Sequence, residues 1–190
     1  GYAPRYHQTP LEAEEMAPVL QALDSILAGH QPFPAVVVDR RWDLVSANAS
    51  ALAILTEGVA EHLLAPPANA LRVSLHPDGL APRIANIAEY AAHLVDRLRR
   101  EVEVYADPQL VDLHAELCGY PGVAGSPSPA DTVSRLFVPL VLRTDRGELT
   151  FFSTVATFGT ARDVTVEELA IESFFPADAA TAAVLRARWA

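Results

Sequence analysis

The chain has 190 residues, 51% hydrophobic and 20% charged, which is ordinary for a globular protein with a buried core. It contains no Lys, and its 14 basic residues against 24 acidic ones give a formal charge of −10. Direct binding of duplex DNA is thereby excluded as its main function, because such a surface needs clustered basic side chains. No apolar run of about 20 residues or signal peptide is present, and the single Cys118 cannot form an internal disulfide, so we expect a cytoplasmic protein without membrane contact.

Two helical segments are predicted at the start of the chain. The sequence Thr9-Pro10-Leu11-Glu12 has the form of a capping box with Thr9 as N-cap. Pro18 suits the first position of a second helix, which we expect to end at Gly29. The apolar stripe of that second helix (Val19, Leu20, Leu23, Ile26 and Leu27) could pack on a sheet or against a second copy of the chain.

A β-hairpin is predicted next, with its polar turn at Asp39–Asp43 and its second strand ending near Asn48. Helices should then cover residues 49–55 and 59–64. A helical or irregular stretch at 69–76 leads to the longest helix, from Pro82 to about Val102, with Ile84 and Ile87 at the start of its apolar stripe.

The next helix should begin at Asp107-Pro108 and end at Gly119. Residues 120–132 are rich in Gly, Pro, Ser and Ala and predict a mobile loop or lid. Strands 135–143 and 148–157 should flank a turn at Thr144–Gly147, with Gly147 placed for positive φ.

A third strand is expected from Val166 to Phe175, and a closing helix from about Asp178. Because short hairpins make antiparallel neighbours, the class is α+β: a five-stranded antiparallel sheet with helices packed on one face, plus N-terminal helices. The phenylalanines of the last strands face helices rich in Ala, an arrangement that either interdigitates or leaves a cavity.

Catalytic and metal-binding motifs are missing from the sequence. It has no nucleophile elbow, phosphate-binding loop or dinucleotide fingerprint, and its six histidines lack zinc-like spacing. Adjacent carboxylates such as Glu14–Glu15 project to different sides and cannot easily share a proton. The sequence therefore predicts no enzyme activity, metal or cofactor.

Four segments resemble the ligand-binding domain of MmyB-like transcription regulators. They are PAVVVDRRWDLVSANASALAIL, NALRVSLHPDGLAPRIAN, DPQLVDLHAEL and VPLVLRTDRGELTFFSTVATFGTARDVTVEELAIESFFPAD. The resemblance covers nearly the whole chain from about residue 30. Together with the order of the elements it implies a PAS-like fold.

The resemblance also implies a domain organisation. Residues 1–30 would form a helical linker after a Cro/C1-type (XRE) helix-turn-helix domain that is absent here, and the opening GYAPRY resembles the residues just after that domain. Residues 31–190 would form the PAS-like ligand-binding domain. DNA would be contacted only through the upstream domain, and we expect a homodimer whose arrangement changes between two states.

The ligand implied by the family is fatty-acid-like, held between sheet and helices. An acidic head group would need a partner, for which arginine is suited by its bidentate fork. The candidates in the matched central segment are Arg72, His76 and Arg83. Asn48 could bond a head group, although capping the next helix is the favoured role.

Phe137 and Phe151 on the strands would line the pocket. Two other functions stay open: a PAS-like protein-interaction or dimerisation module with a filled core and no natural ligand, and an enzyme acting on small hydrophobic acids. A lipid that copurifies with the protein would favour ligand sensing over the interaction module. An enzyme would need a nucleophile or base in the pocket.

Overall fold

A five-stranded antiparallel sheet forms the centre of the computed structural model, which describes residues 9–10, 13–123, 138–158 and 163–189. The strand order is β2-β1-β5-β4-β3. The strands are β1 (Ala35–Val38), β2 (Leu44–Ala47), β3 (Leu140–Thr144), β4 (Gly147–Thr157) and β5 (Ala170–Pro176). The last strand in sequence is thus central, between the two predicted hairpins. The α+β class and the five antiparallel strands are confirmed, and the arrangement is consistent with a PAS-like fold.

Eight α-helices surround the described sheet. They are α1 (Ala17–Gly29), α2 (Ala49–Leu55), α3 (Glu61–Leu64), α4 (Ala70–Leu75), α5 (Ile87–Tyr105), α6 (Pro108–Cys118), α7 (Val164–Glu167) and α8 (Ala179–Arg188). Asp107 caps α6 by accepting a hydrogen bond from the Gln109 amide, and Asp178 caps α8 in the same way through Thr181. None of these described helices is long and apolar enough to cross a membrane.

The main hydrophobic core lies between one face of the sheet and helices α2 to α6. Val36, Val38, Phe151 and Phe174 supply the sheet side of this core. Strand periodicity places alternate residues on the opposite face, where Ala35, Val37 and Ile171 pack with other apolar residues against α1. The stripe of α1 therefore packs on the sheet, the first of the two alternatives that the sequence allowed.

Two local predictions were wrong. Ile84 precedes the long helix in extended conformation and forms a β-bridge with Leu142, so α5 begins only at Ile87. Val166 lies in the short helix α7, which Asp163 caps, and β5 begins at Ala170. For Ile84 a distant partner overrides the local pattern, whereas for Val166 the nearby cap at Asp163 favours a helical turn. The predicted capping box at Thr9 includes Leu11 and Glu12, which lie outside the described residues; the Thr9 hydroxyl donates to the Asp163 carboxylate at 2.7 Å.

The two hairpin turns agree with the sequence. Gly147 has φ +105° and Thr144 pairs with it directly across a tight turn. In the first hairpin Trp42 has φ +67°, an unusual conformation for a bulky residue. Its backbone donates to the Asp39 carbonyl at 3.0 Å and accepts from the Ala70 amide at 2.8 Å. These bonds hold the Trp42 ring against the core.

Candidate ligand-binding site

An apolar cavity of about 70 Å³, open at one edge, lies between the sheet and the helices. Its floor is formed by Val36, Leu140, Glu172 and Phe174 of the sheet. The side chains that cover it come from the first hairpin, from α2, α4 and α5, and from the segment before α5: Trp42, Leu44, Ala47, Ala51, Leu52, Leu55, Thr56, Ala70, Leu71, Val73, Ser74, Leu80, Ile84, Tyr90 and Leu94. Leu52 is 55% exposed and so marks the edge where solvent is nearest. The lining would hold an apolar chain.

A glutamate in the floor and a tyrosine on the covering side distinguish this cavity from ordinary core. Glu172 is only 7% exposed, and it is the one residue with a carboxyl group among the described lining residues. Tyr90 of α5 lines the same space. Burial, and secondarily the charge of Glu172, raises the pKa of the Tyr90 hydroxyl well above its usual range. Tyr90 therefore keeps its proton and can donate a hydrogen bond.

Trp42 separates this cavity from a larger groove of about 390 Å³, because it lines both. Its indole N–H donates to Glu101 at 2.7 Å, and the Arg97 guanidinium lies over the ring at 4.2 Å from its centroid. The groove carries charged side chains, including Arg40 and Glu168, which pair with each other at 2.7 Å. It is therefore a poor site for an apolar ligand.

Arg72 and Arg83, the predicted anchors, do not line the cavity. Arg72 makes a bidentate pair with Glu116 of α6, with Nε at 2.9 Å from Oε1 and the terminal nitrogen at 2.8 Å from Oε2. This pair lowers the pKa of the Glu116 carboxyl. Arg83 donates to the Ile54, Glu57 and Arg143 carbonyls at 3.3, 2.6 and 3.2 Å. It thereby joins the end of α2 to β3.

Asn48 is buried and uses its amide fully in the fold. Its oxygen accepts from the Ala51 and Ala35 amides at 2.9 and 3.1 Å, and its nitrogen donates to the Leu27 and Phe33 carbonyls at 3.2 and 2.8 Å. The helix-capping role is confirmed. Because all four bonds are satisfied, no hydrogen-bonding capacity remains for a head group.

Phe151 and His76 are also absent from the cavity lining. Phe151 is completely buried and meets Phe174 edge-on at 6.4 Å, which places it behind the lining. Phe137 lies outside the described residues. His76 follows α4 and meets Tyr120 edge-on, with 5.0 Å between the ring centroids. Ligand contact by the predicted anchors stays a prediction, one that would require their side chains to move.

His76 belongs to a different cluster that the sequence spacing did not reveal. The ligand-capable atoms of His62, His76 and Asp78 lie within 4.8 Å of one another. Two imidazoles and a carboxylate are a donor set that a divalent transition metal accepts. Nδ1 of His76 accepts from the Asp78 amide at 3.0 Å and lies 3.8 Å from the Asp78 carboxylate.

Sequence reasoning missed Glu172 and Tyr90 as candidate site residues. The pattern around Glu172 (IES) resembles a strand with one solvent face, and Tyr90 resembles a core residue. The signal that could have found Glu172 is a charged residue in the central strand of a sheet covered on both faces, where no solvent face is left for it. The order of the strands was needed to see it.

The comparisons with known proteins agree with this geometry. A comparison with curated protein sequences gives no significant match. The family model described as "MmyB-like transcription regulator ligand binding domain" matches residues 19–187, which is most of the chain. The chain belongs to the family of MmyB-like transcription regulator ligand-binding domains.

Proposed function

We propose that this protein is the effector-sensing domain of a bacterial helix-turn-helix regulator, and that it binds a small hydrophobic ligand with a fatty-acid-like aliphatic chain. The observation that carries the proposal is the apolar cavity between sheet and helices, with Leu52 at its edge. Pockets in this position, with few polar groups, are typical of small-molecule sites. The family supports a ligand-sensing regulatory domain and gives no reason to expect an enzyme.

The size of the cavity bears on the mechanism. At about 70 Å³ it is well below the ~300–1,000 Å³ of typical ligand sites, and below the ~150 Å³ engineered cavity that takes up benzene. An aliphatic chain therefore requires the covering helices to move outward. The helices nearest the edge are short, with seven residues in α2 and six in α4. A ligand that fits only the expanded state shifts the population toward it.

An energetic comparison indicates what kind of ligand can bind. Burying eight to twelve methylenes contributes roughly 6–10 kcal/mol. Association costs about 4–15 kcal/mol, to which expansion of the cavity adds. The aliphatic chain alone gives weak binding at best, so the polar contacts of the head group decide the affinity.

The output of the sensor is proposed to be a change in the arrangement of a homodimer in the cytoplasm, transmitted to a Cro/C1-type DNA-binding domain. The absence of Lys and the charge of −10 support the view that DNA is contacted through that other domain. Helix α1 is a suitable connection, since it precedes β1 and packs on the face of the sheet opposite the cavity.

The test is ligand-induced stabilisation with a matched pair of variants. At a hundredfold excess over Kd, 1-alkanols or alkanoic acids of eight to twelve carbons should stabilise the chain by about 2.7 kcal/mol. This corresponds to a Tm increase of roughly 5–10 °C. Ala70→Leu, which fills the cavity, should abolish the increase, whereas Ala183→Leu, on the exposed side of α8, should retain it.

A second candidate, a protein-interaction module without a natural ligand, is favoured by the small volume of the cavity. Its side chains nearly fill the space, as in an ordinary core. Solvent extraction of the purified chain followed by mass spectrometry distinguishes the two. A clean extract, together with no Tm change for any chain length, would leave the interaction module as the better description.

A further inference from the structure

Glu172 occupies a fixed position in the cavity floor. It lies at the middle of β5, opposite Val36 of β1 on one side and Val155 of β4 on the other. The preceding residue, Ile171, packs on the opposite face of the sheet against the cluster that includes α1. Both faces of β5 carry apolar clusters, so a one-residue change of register would move Glu172 from the cavity to the face that packs on α1.

Glu172 is only 7% exposed as a residue, and its carboxyl group has no partner among the described residues. The hydrogen bonds and ion pairs of the described residues include none to its oxygens, nor to the Tyr90 hydroxyl. In the same part of the chain, every side-chain nitrogen or oxygen that is completely enclosed has a partner. The unpaired oxygens are therefore not completely enclosed, and Glu172 is among the residues that line the cavity. An unpaired buried acid is costly, and groups of this kind persist where a ligand uses them.

Three arginines on the elements around the cavity are already paired elsewhere. Arg72 is paired with Glu116, Arg83 with carbonyls and Glu57, and Arg97 with Glu101 beneath the Trp42 ring. No arginine is among the described residues that line the cavity. An ionised ligand carboxylate would meet the charge of Glu172 without a described arginine in the lining to pair with it, and like charges in a low-dielectric site repel strongly.

We propose that Glu172 and Tyr90 form a head-group site for an aliphatic ligand whose polar end donates a hydrogen bond, such as a hydroxyl or a protonated amine. This inference rests on the proposed function, because it assigns the polar end of the same cavity. The Glu172 carboxylate accepts a hydrogen bond from the head group. The Tyr90 hydroxyl can donate a hydrogen bond to the head group or accept one from it. The aliphatic chain extends along the apolar walls toward Leu52.

The experiment compares three ligands that differ only at the head: 1-octanol, octylamine and octanoate. Their affinities for the 190-residue chain are measured by isothermal titration calorimetry at pH 7.5. We expect octanol and octylamine to bind at least tenfold more tightly than octanoate. In Glu172→Gln, octylamine should weaken at least tenfold, octanol should change little because the amide oxygen still accepts, and octanoate should improve. Glu148→Gln, which removes an exposed carboxylate on β4, should keep the wild-type order.

Each outcome has a distinct meaning. Octanoate binding as tightly as octanol, or an unchanged order in Glu172→Gln, would overturn the head-group site while ligand sensing stands. Failure of all three ligands to bind would overturn both proposals. If Glu172→Gln does not fold, as judged by circular dichroism, the order of the three ligands on the unaltered chain decides the matter.

Discussion

Arg83 is expected to hold the covering helix α2 to the sheet, so its removal should weaken the fold much more than removal of Arg72. Arg83→Met keeps much of the aliphatic stem and deletes the bonds to the Ile54, Glu57 and Arg143 carbonyls. The side chain is 20% exposed. One short charged bond and two longer ones, at about 1 kcal/mol each, give an expected loss of roughly 3 kcal/mol.

Arg72→Met is the comparison variant. Its pair with Glu116 has ideal bidentate geometry, but the two side chains are 40% and 37% exposed, so solvent screens the interaction. Pairs of this kind contribute no more than about 1 kcal/mol. The two losses are measured by urea unfolding followed by far-UV circular dichroism, with m-values compared to confirm that the same surface unfolds.

The same pair of variants tests whether either arginine binds an acid. If Arg83→Met loses no more stability than Arg72→Met, then Arg83 does not hold α2 to the sheet. If either variant keeps its stability but loses only octanoate binding, that arginine is a head-group anchor and the cavity opens toward it. We expect neither variant to change the order in which octanol, octylamine and octanoate bind.

Three further predictions concern single positions. Asn48→Ala should lower the free energy of unfolding by about 4 kcal/mol, since four buried hydrogen bonds are lost. Asn48→Ser should recover about 1 kcal/mol of this loss, because a serine hydroxyl can still cap α2. A loss under about 1 kcal/mol for Asn48→Ala would contradict this role. Burial, aided by Arg97, lowers the pKa of His93, so the unfolded chain takes up a proton first as the pH falls below about 6.5. The free energy of unfolding should therefore decrease as the pH falls. In urea titrations from pH 7.5 to 5, His93→Gln should show a smaller decrease than the unaltered chain. In Trp189→Phe, Trp42 is the remaining tryptophan of the two, and its fluorescence should change when octanol binds; an unchanged spectrum with octanol bound would place the ligand elsewhere.

The sequence by itself determined the elements whose signals are local. Hydrophobic alternation around Asp39–Asp43 and the Gly147 turn predicted both hairpins, because a tight turn and a two-residue period suffice to pair neighbouring strands. Proline and capping residues placed the start of α6 at Pro108, and Gly29 marked the end of α1. The resemblance of four segments to one family was confirmed by the match over residues 19–187.

Other features depend on contacts between residues far apart in the chain. Ile84 is extended and not helical because it pairs with Leu142. Arg72 forms its ion pair with Glu116, 44 residues away, and not with an acid nearer in sequence. No window of the sequence contains both partners. Local propensity is therefore outweighed by a tertiary contact that it cannot represent.

The cavity is the clearest case. The sequence predicted either interdigitating side chains or a cavity between large and small residues, and only the packed structure decides for a narrow space of about 70 Å³. It also brings Glu172 of β5 and Tyr90 of α5 to that space, because β5 is inserted between β1 and β4 with both faces covered. Composition specifies which residues are available, and the order of the strands decides which of them the cavity contains.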